Sequence, residues 1–407
     1  QIDRALTACL TDSQPVYLET FEDIYTMPCA APEGKLSAQP IISIPTNLKA
    51  AVNTAVAKIT QSKQPVIWGG VEVQRLGIQE MFTHVVAQTG LPYATSLLGK
   101  SIISEDNPAY IGVFEGKSSS KAVQEYVANA DCLIALGVLA TDINLLGVTS
   151  DDLSGTAPWG DDLILASRDS VRVGTSYFAQ VHLADFLEGL GAALAKQTLQ
   201  RVELPTTNPM PTPEPNEVLT FDNFFNRMNT FVDDSMMVLA DIGFSSFGAM
   251  NLNVQKSGFI AQAAWASIGY AVGAALGAKC ARPELRPVVF SGDGSFHMTC
   301  QTLSTMVKEA QNPIIFVMNN GIYGIEQWLV NPKVFAGEGQ VAPTNVLHRW
   351  EYSKLTDVFG GRGWCVSTIA QLDEALAEIQ EDPNTLAVVD VRIEQLSFPE
   401  DLVWAVS

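Results

Sequence analysis

The sequence predicts an α/β protein made of two doubly wound parallel-sheet domains, preceded by the C-terminal remnant of a third. Three observations carry this. Between Ile44 and Ala195, short apolar runs alternate with stretches of helical spacing, and repeated β–α alternation builds a parallel sheet with helices on both faces. Leu204–Thr220 then carries five prolines and few apolar residues, a composition that favours extended backbone and marks a linker. A second alternating block follows. The expected division is a remnant over residues 1–35, a middle domain over 40–197, a linker over 198–220 and a second α/β domain over 221–407.

Each element has its own signal. IDRALTACLTDSQPVYLET opens as an amphipathic helix feeding a strand, the tail of an α/β unit, without the charged and apolar regions of a targeting peptide. In the middle block, PVIWGG (Pro65–Gly70) is an apolar run ending in glycine, GIQEMFTHVVAQTG has helical spacing, and CLIALGV (Cys132–Val138) is a second buried strand. No G-x-G-x-x-G follows VIWGG, so a structural role is expected there rather than dinucleotide binding. MMVLAD, RPVVFSGDG, NPIIFVMNN and TLAVVDV are the clearest strands of the second block. Phe259–Ala278 is apolar enough to suggest a membrane span. Gln262, Ser267, its glycines and the lack of a flanking basic cluster make it a buried helix of small residues instead.

With 47% apolar and 17% charged residues, the chain can build packed cores. Forty-four acids against 24 bases give a net charge of −20, which disfavours nucleic acid and anionic membranes as partners. A phosphate-bearing ligand then needs backbone N–H groups or a cation. The six cysteines are scattered and form no C-x-x-C pair, so neither a zinc ribbon nor a disulfide framework is expected, and a reducing, cytoplasmic setting is.

In open α/β sheets the ligand crevice lies beyond the carboxyl ends of the strands. Asp241 and Gly243 follow MMVLA, with Ser245 beside them; Asp293 follows PVVFSG, and Asn320 follows PIIFVMN. Gly292 and Gly294 remove side chains where the backbone turns, so that its N–H groups can approach an anion, and Ser295 opens a helix aimed at the same place. Asp293 supplies a hard carboxylate oxygen and Asn320 an amide oxygen. Two such oxygens and a backbone carbonyl leave octahedral positions for phosphate and water, the preference of Mg²⁺. The pattern reads as Mg²⁺ clamping a diphosphate.

The joint motif GDGS…NN resembles the signature of thiamine diphosphate enzymes, and the resemblance extends over nearly the whole chain. Within that superfamily it is greatest to the 2-oxo-acid decarboxylases acting on pyruvate, indolepyruvate and phenylpyruvate. Their GYxIE is matched by Gly321, Tyr323, Ile325 and Glu326, and their WGSIG by WASIG at Trp265–Gly269. The resemblance implies that residues 221–407 bind the diphosphate and that Asp293, Asn320 and the Ile322 carbonyl hold Mg²⁺. It also implies that Ile268 wedges the cofactor into its bent shape and that the Ala266 carbonyl accepts the 4′-amino group. Asp241, Gly243, Ser245, Gly292, Gly294, Ser295 and Ile325 are the other implied cofactor contacts. Ile325 and Leu329 are expected to line the substrate pocket. Ser246, where some pyruvate-selective members carry a bulky aromatic, points to a larger substrate. Glu326 is the implied catalytic acid, handling proton transfer near the thiazolium carbon against an apolar wall.

The implied activity is non-oxidative decarboxylation of a 2-oxo acid to an aldehyde and CO₂, in a homodimer or homotetramer. A carboligase and a non-catalytic thiamine diphosphate-binding subunit are the alternatives, and Glu326 speaks against the first. The resemblance begins near the end of the family's pyrimidine-binding domain. The activating glutamate and adjacent histidine pair of that domain have no counterpart here: His84, His182, His297 and His348 are all isolated. A pyrimidine-binding domain supplied upstream or by another chain is therefore expected. His297, Trp350 and Tyr352 read as packing residues, and GGVEVQR lacks the regulatory cysteine of substrate-activated members.

Overall fold

A computed structural model describes residues 1–39, 41–139, 141, 160–200, 202–205 and 211–406. The first sheet is built from β1 (Pro65–Gly69), β2 (Tyr93–Thr95), β3 (Tyr110–Val113), β4 (Cys132–Leu136), β5 (Leu163–Ser167), β6 (Ser170–Val173) and β7 (Ser176–Ala179), in the order β3-β2-β1-β4-β5-β6-β7. Alternate residues of β1 explain the double winding. Ile67 packs with helices Pro45–Gln61, Gln79–Thr89 and Leu183–Leu194, while Val66 and Trp68 face helix Lys121–Ala128. The sheet is not wholly parallel as expected: β6 runs antiparallel to both of its neighbours, β5 and β7. Ser167 pairs with Ser170, and the two residues between them can only reverse the chain.

The second sheet is parallel throughout. It comprises β8 (Met236–Ala240), β9 (Phe259–Ala261), β10 (Arg286–Gly292), β11 (Ile314–Asn319), β12 (Arg362–Val366) and β13 (Ala387–Arg392), in the order β12-β13-β11-β10-β8-β9. Val288 and Phe290 pack toward helices Phe221–Met228 and Ile369–Glu381, whereas Val289 faces helices Tyr270–Ala281 and Thr302–Lys308. Phe290 stacks on Phe316 at 5.4 Å, and Phe224 meets both rings edge-on.

Several local expectations are corrected. Helix Ile2–Asp12 forms, held by Arg168, whose Nη1 donates to the Asp12 carbonyl (2.6 Å). No strand follows it: Val16, Tyr17 and Leu18 are exposed, without a sheet edge to pair with. Phe259–Ala278 is not one helix. It is β9, an exposed turn and the start of helix Tyr270–Ala281, with Trp265 83% exposed. The stretch after Gly292 divides into helices Asp293–Thr299 and Thr302–Lys308. Of the linker, residues 201 and 206–210 lie outside the described residues. Its end is not free of the core, because Leu219 is fully buried and Thr220 caps helix Phe221–Met228 with a reciprocal Asn223 capping box.

A polar seam joins the two sheets. Lys100 and Glu105 form a buried ion pair (2.6 Å), Lys100 also donates to the Leu252 carbonyl (2.7 Å), and Glu105 accepts from the Val254 N–H (3.1 Å). Leu97 and Val113, from the first sheet's side, complete the apolar core of the second.

Candidate active site

In the second sheet the chain leaves β8 outward to β9 and returns to the other side as β10. The crevice between the carboxyl ends of β8 and β10 is thus the topological switch point where ligands bind in such folds. A cleft lies there, with a cavity of about 50 Å³. It brings together eleven of the thirteen residues that the resemblance implied as cofactor, metal or catalytic contacts: Gly243, Ser245, Ile268, Gly292, Asp293, Gly294, Ser295, Asn320, Ile322, Ile325 and Glu326.

Asp241 and Ala266 are the two that lie outside. The Asp241 carboxylate is buried behind the crevice, accepting from Ser291 Oγ (2.6 Å) and the Ala271 N–H (3.0 Å). It braces β8 against β10 and the following helix, and burial pushes its pKa above the ordinary value. Ala266 sits in the exposed turn before Ile268 at φ 51°, a left-handed conformation that glycine takes more easily. Ile268 itself is half-buried and reaches the cleft.

Asp293 is 1% exposed. Its Oδ1 accepts from its neighbour Gly294 (2.9 Å) and its Oδ2 from the Gly321 N–H (2.7 Å). Burial outweighs these bonds and lifts its pKa to about 7. Asp293 makes no ion pair among the described residues, so its charge lacks the contacting cation that a buried carboxylate needs. The two asparagines divide their roles. Asn319 Nδ2 donates to Asp390 (2.7 Å) on the sheet side, while Asn320 lines the cleft, its Oδ1 accepting one long bond from the Ile322 N–H (3.3 Å). Ser245 Oγ is buried at the cleft wall without any hydrogen-bond partner. A buried hydroxyl of that kind is satisfied by a ligand acceptor or by water.

Glycines keep the cleft open. A Cβ at Gly294 would lie 2.2 Å from the Tyr323 ring, and one at Gly324 would lie 2.5 Å from Phe244. Tyr323 and Phe244 form part of the cleft wall. Tyr323 carried a signal in GIYGIE; Phe244 carried none, since one phenylalanine at a helix start looks like any other. Glu326 stands exposed at the lip, in the first turn of helix Gly324–Val330, and the apolar wall expected around it is not supplied by the described residues. Leu329 is 60% exposed and does not line the cleft. Ser246 is buried behind it, its hydroxyl donating to the Gly243 carbonyl (2.8 Å). His297 stacks on Trp350 (4.0 Å) and bonds the Tyr352 hydroxyl (2.8 Å), which accounts for all three as packing residues.

Residues 241–391, which carry this cleft, match the thiamine pyrophosphate enzyme C-terminal TPP binding domain, and residues 52–196 match the central domain of the same enzymes. The chain belongs to the thiamine pyrophosphate enzymes. Its similarity is to their 2-oxo-acid decarboxylases. An alpha-keto-acid decarboxylase of Mycobacterium leprae (strain TN) is 29% identical over 406 residues, covering 98% of this chain and 69% of the relative. Pyruvate decarboxylase 3 of Arabidopsis thaliana is 29% identical over 419 residues (99% and 68%). Pyruvate decarboxylase 2 of Oryza sativa subsp. japonica is 30% identical over 393 residues (93% and 62%). The cleft of this thiamine pyrophosphate enzyme fits the diphosphate end of such a cofactor. The unpartnered Ser245 hydroxyl offers a donor, Gly292 leaves space beside it, and Asp293 brings a buried carboxylate without an ion pair among the described residues. Among the described residues no helix is long and apolar enough to cross a membrane.

Proposed function

We propose that this chain acts in the non-oxidative decarboxylation of a 2-oxo acid to an aldehyde and CO₂, contributing the diphosphate and Mg²⁺ half of the site. The reading rests above all on the convergence of Asp293, Asn320 and the unpartnered Ser245 at the switch-point crevice of a domain matching the TPP-binding family. The names of the relatives support the reaction class. Asp293, the Asn320 amide oxygen and the Ile322 carbonyl would hold Mg²⁺, with the remaining positions going to phosphate and water. Gly243, Ser245, Gly292, Gly294 and Ser295 would receive the diphosphate, and Ile268 and Ile325 would bear on its organic part.

Thiamine diphosphate, when bound, supplies the nucleophilic carbon and the electron sink that CO₂ loss requires. Glu326, at the lip of the cleft, would deliver a proton to the carbon that becomes the aldehyde. A pyrimidine-binding domain, upstream or on another chain of a homodimer or homotetramer, would cover Glu326 and complete the site.

The test is to incubate the protein with thiamine diphosphate, Mg²⁺ and either pyruvate or phenylpyruvate, and to measure aldehyde and CO₂. Glu326→Gln is expected to keep cofactor affinity and lose turnover by about 100-fold or more. Full activity in that variant would remove Glu326 from the chemistry. Acyloin as the main product would replace the decarboxylase reading with a carboligase, and tight cofactor binding without turnover in the complete oligomer would make the chain a binding subunit.

A further inference from the structure

We infer that Arg349 is a positioning residue for the magnesium loop, acting through the peptide between Asn320 and Gly321. The inference rests on the proposed Mg²⁺ reading of Asp293 and Asn320. Arg349 Nη2 donates to the Asn320 carbonyl (2.7 Å), and the N–H at the other end of the same peptide, that of Gly321, donates to Asp293 Oδ2 (2.7 Å). One planar group therefore carries a cation on its oxygen and a carboxylate on its hydrogen. Because the peptide is rigid, holding its oxygen also fixes the direction of its N–H. A guanidinium on the carbonyl polarises the peptide and strengthens the bond its N–H makes.

The surrounding backbone shows that this contact is built in. Gly321 lies at φ 76°, and a Cβ there would stand 2.3 Å from Arg349 Nε, so the close approach requires glycine. The segment leading to Arg349 is stitched to the loop as a short antiparallel bridge between Ile322 and Val346. The Leu347 N–H donates to the Gly321 carbonyl (2.9 Å) and the Tyr323 N–H to the Asn345 carbonyl (2.9 Å). Behind them, Gln327 Oε1 accepts from the Ala342 N–H (2.8 Å). Arg349 makes no ion pair with a carboxylate among the described residues, so its charge is committed to the loop rather than to a surface acid. Without it, the strap would still run beside the loop, but the 320–321 peptide could turn and Asp293 would lose its fixed orientation.

The test compares Arg349→Met and Arg349→Lys with the unmodified protein, and uses Asp293→Ala as a control. Two quantities are read: the Mg²⁺ concentration needed to bind thiamine diphosphate, and amide hydrogen exchange over residues 320–324 without metal or cofactor. Arg349→Met is expected to raise the Mg²⁺ requirement about tenfold, the scale of one charge-assisted hydrogen bond, and to speed exchange in that segment while exchange in β8 and β10 is unchanged. Arg349→Lys, which keeps the charge but not the planar fork, should recover part of both effects. Unchanged exchange and an unchanged Mg²⁺ requirement in Arg349→Met would overturn the inference. So would faster exchange throughout the sheet, the signature of a general structural role. If Asp293→Ala binds cofactor as before, the magnesium reading itself fails, and the exchange result alone still decides whether Arg349 holds the loop.

Discussion

The two sheets of this chain share a winding plan and differ in what stands at their switch points. Between β1 and β4, glycines close the structure. A Cβ at Gly70 would lie 2.2 Å from the Gly137 carbonyl oxygen, and one at Gly99 would lie 2.7 Å from that of Gly69. The Gly70 N–H donates to the Leu136 carbonyl (2.9 Å) and the Glu72 N–H to that of Gly137 (3.0 Å), so backbone fills the place where a ligand would enter. Between β8 and β10, a Cβ at Gly292 would meet nothing closer than the Ser245 and Ser295 hydroxyls at 4.0 Å. The same residue type seals one crevice and opens the other.

The buried ion pair at the seam and the buried carboxylate of the cleft differ in the same way. Lys100 and Glu105 satisfy each other at the seam, with additional bonds from Tyr110 (3.0 Å) and Val254 (3.1 Å). Asp293 has backbone donors only. A buried charge completed within the fold contributes to structure, whereas one left without a contacting cation in the wall of an open crevice is a candidate for a cation from outside.

That contrast can be broken experimentally. The largest effect is expected for Asp293→Ala, which should weaken Mg²⁺-dependent binding of thiamine diphosphate by at least about 100-fold without lowering the urea stability of the metal-free protein, since it removes a buried carboxylate that has no contacting cation. Isothermal titration calorimetry with equal affinities for both proteins would end the metal assignment. Lys100→Met should do the reverse. Leaving Glu105 buried without its cation is expected to cost about 3 kcal/mol of stability, read by urea denaturation, and a larger loss of cofactor affinity than of stability would blur the division between the sheets.

A third effect follows from pH. Burial lifts the Asp293 pKa from 3.8 to about 7. Because the folded value is raised, its contribution to the stability of the metal-free protein is complete below the unfolded value and is lost as pH rises through about 7. Mg²⁺ needs the carboxylate, so its binding expels a proton in that window and should weaken about tenfold per pH unit below 7. A flat Mg²⁺ titration across that range would show that Asp293 is not the ligand. The smallest effect is local: Ala266→Gly, which relieves the left-handed φ of 51°, is expected to raise stability by about 0.5 kcal/mol, measured by thermal unfolding.

Much of the site was legible in the sequence because its residues lie in short segments at the ends of apolar strands. GDGS and NN mark where β10 and β11 stop, and parallel pairing of adjacent strands then brings those ends together. The missed strands β9 and β12 are edge strands of three and five residues, too short or too polar for periodicity to reveal. In the opposite direction, Val16–Leu18 has the residue types of a strand and does not form one, since strand propensity without a neighbouring strand has nothing to pair with.

By itself, then, the sequence determined the α/β class, the strand ends that line the cleft, and membership of the thiamine pyrophosphate enzymes, because each is written in local periodicity or contiguous motif. Only the tertiary structure decided which carboxylate faces the cleft. Asp241 and Asp293 occupy equivalent places after their strands, yet one is turned inward to Ser291 and the other lines the crevice. It also decided that Ser245 lacks a partner and that Arg349, 29 residues from Asn320, holds its carbonyl. The direction of a side chain and the identity of its partner depend on segments distant in the chain, and their meeting is fixed by packing rather than by spacing.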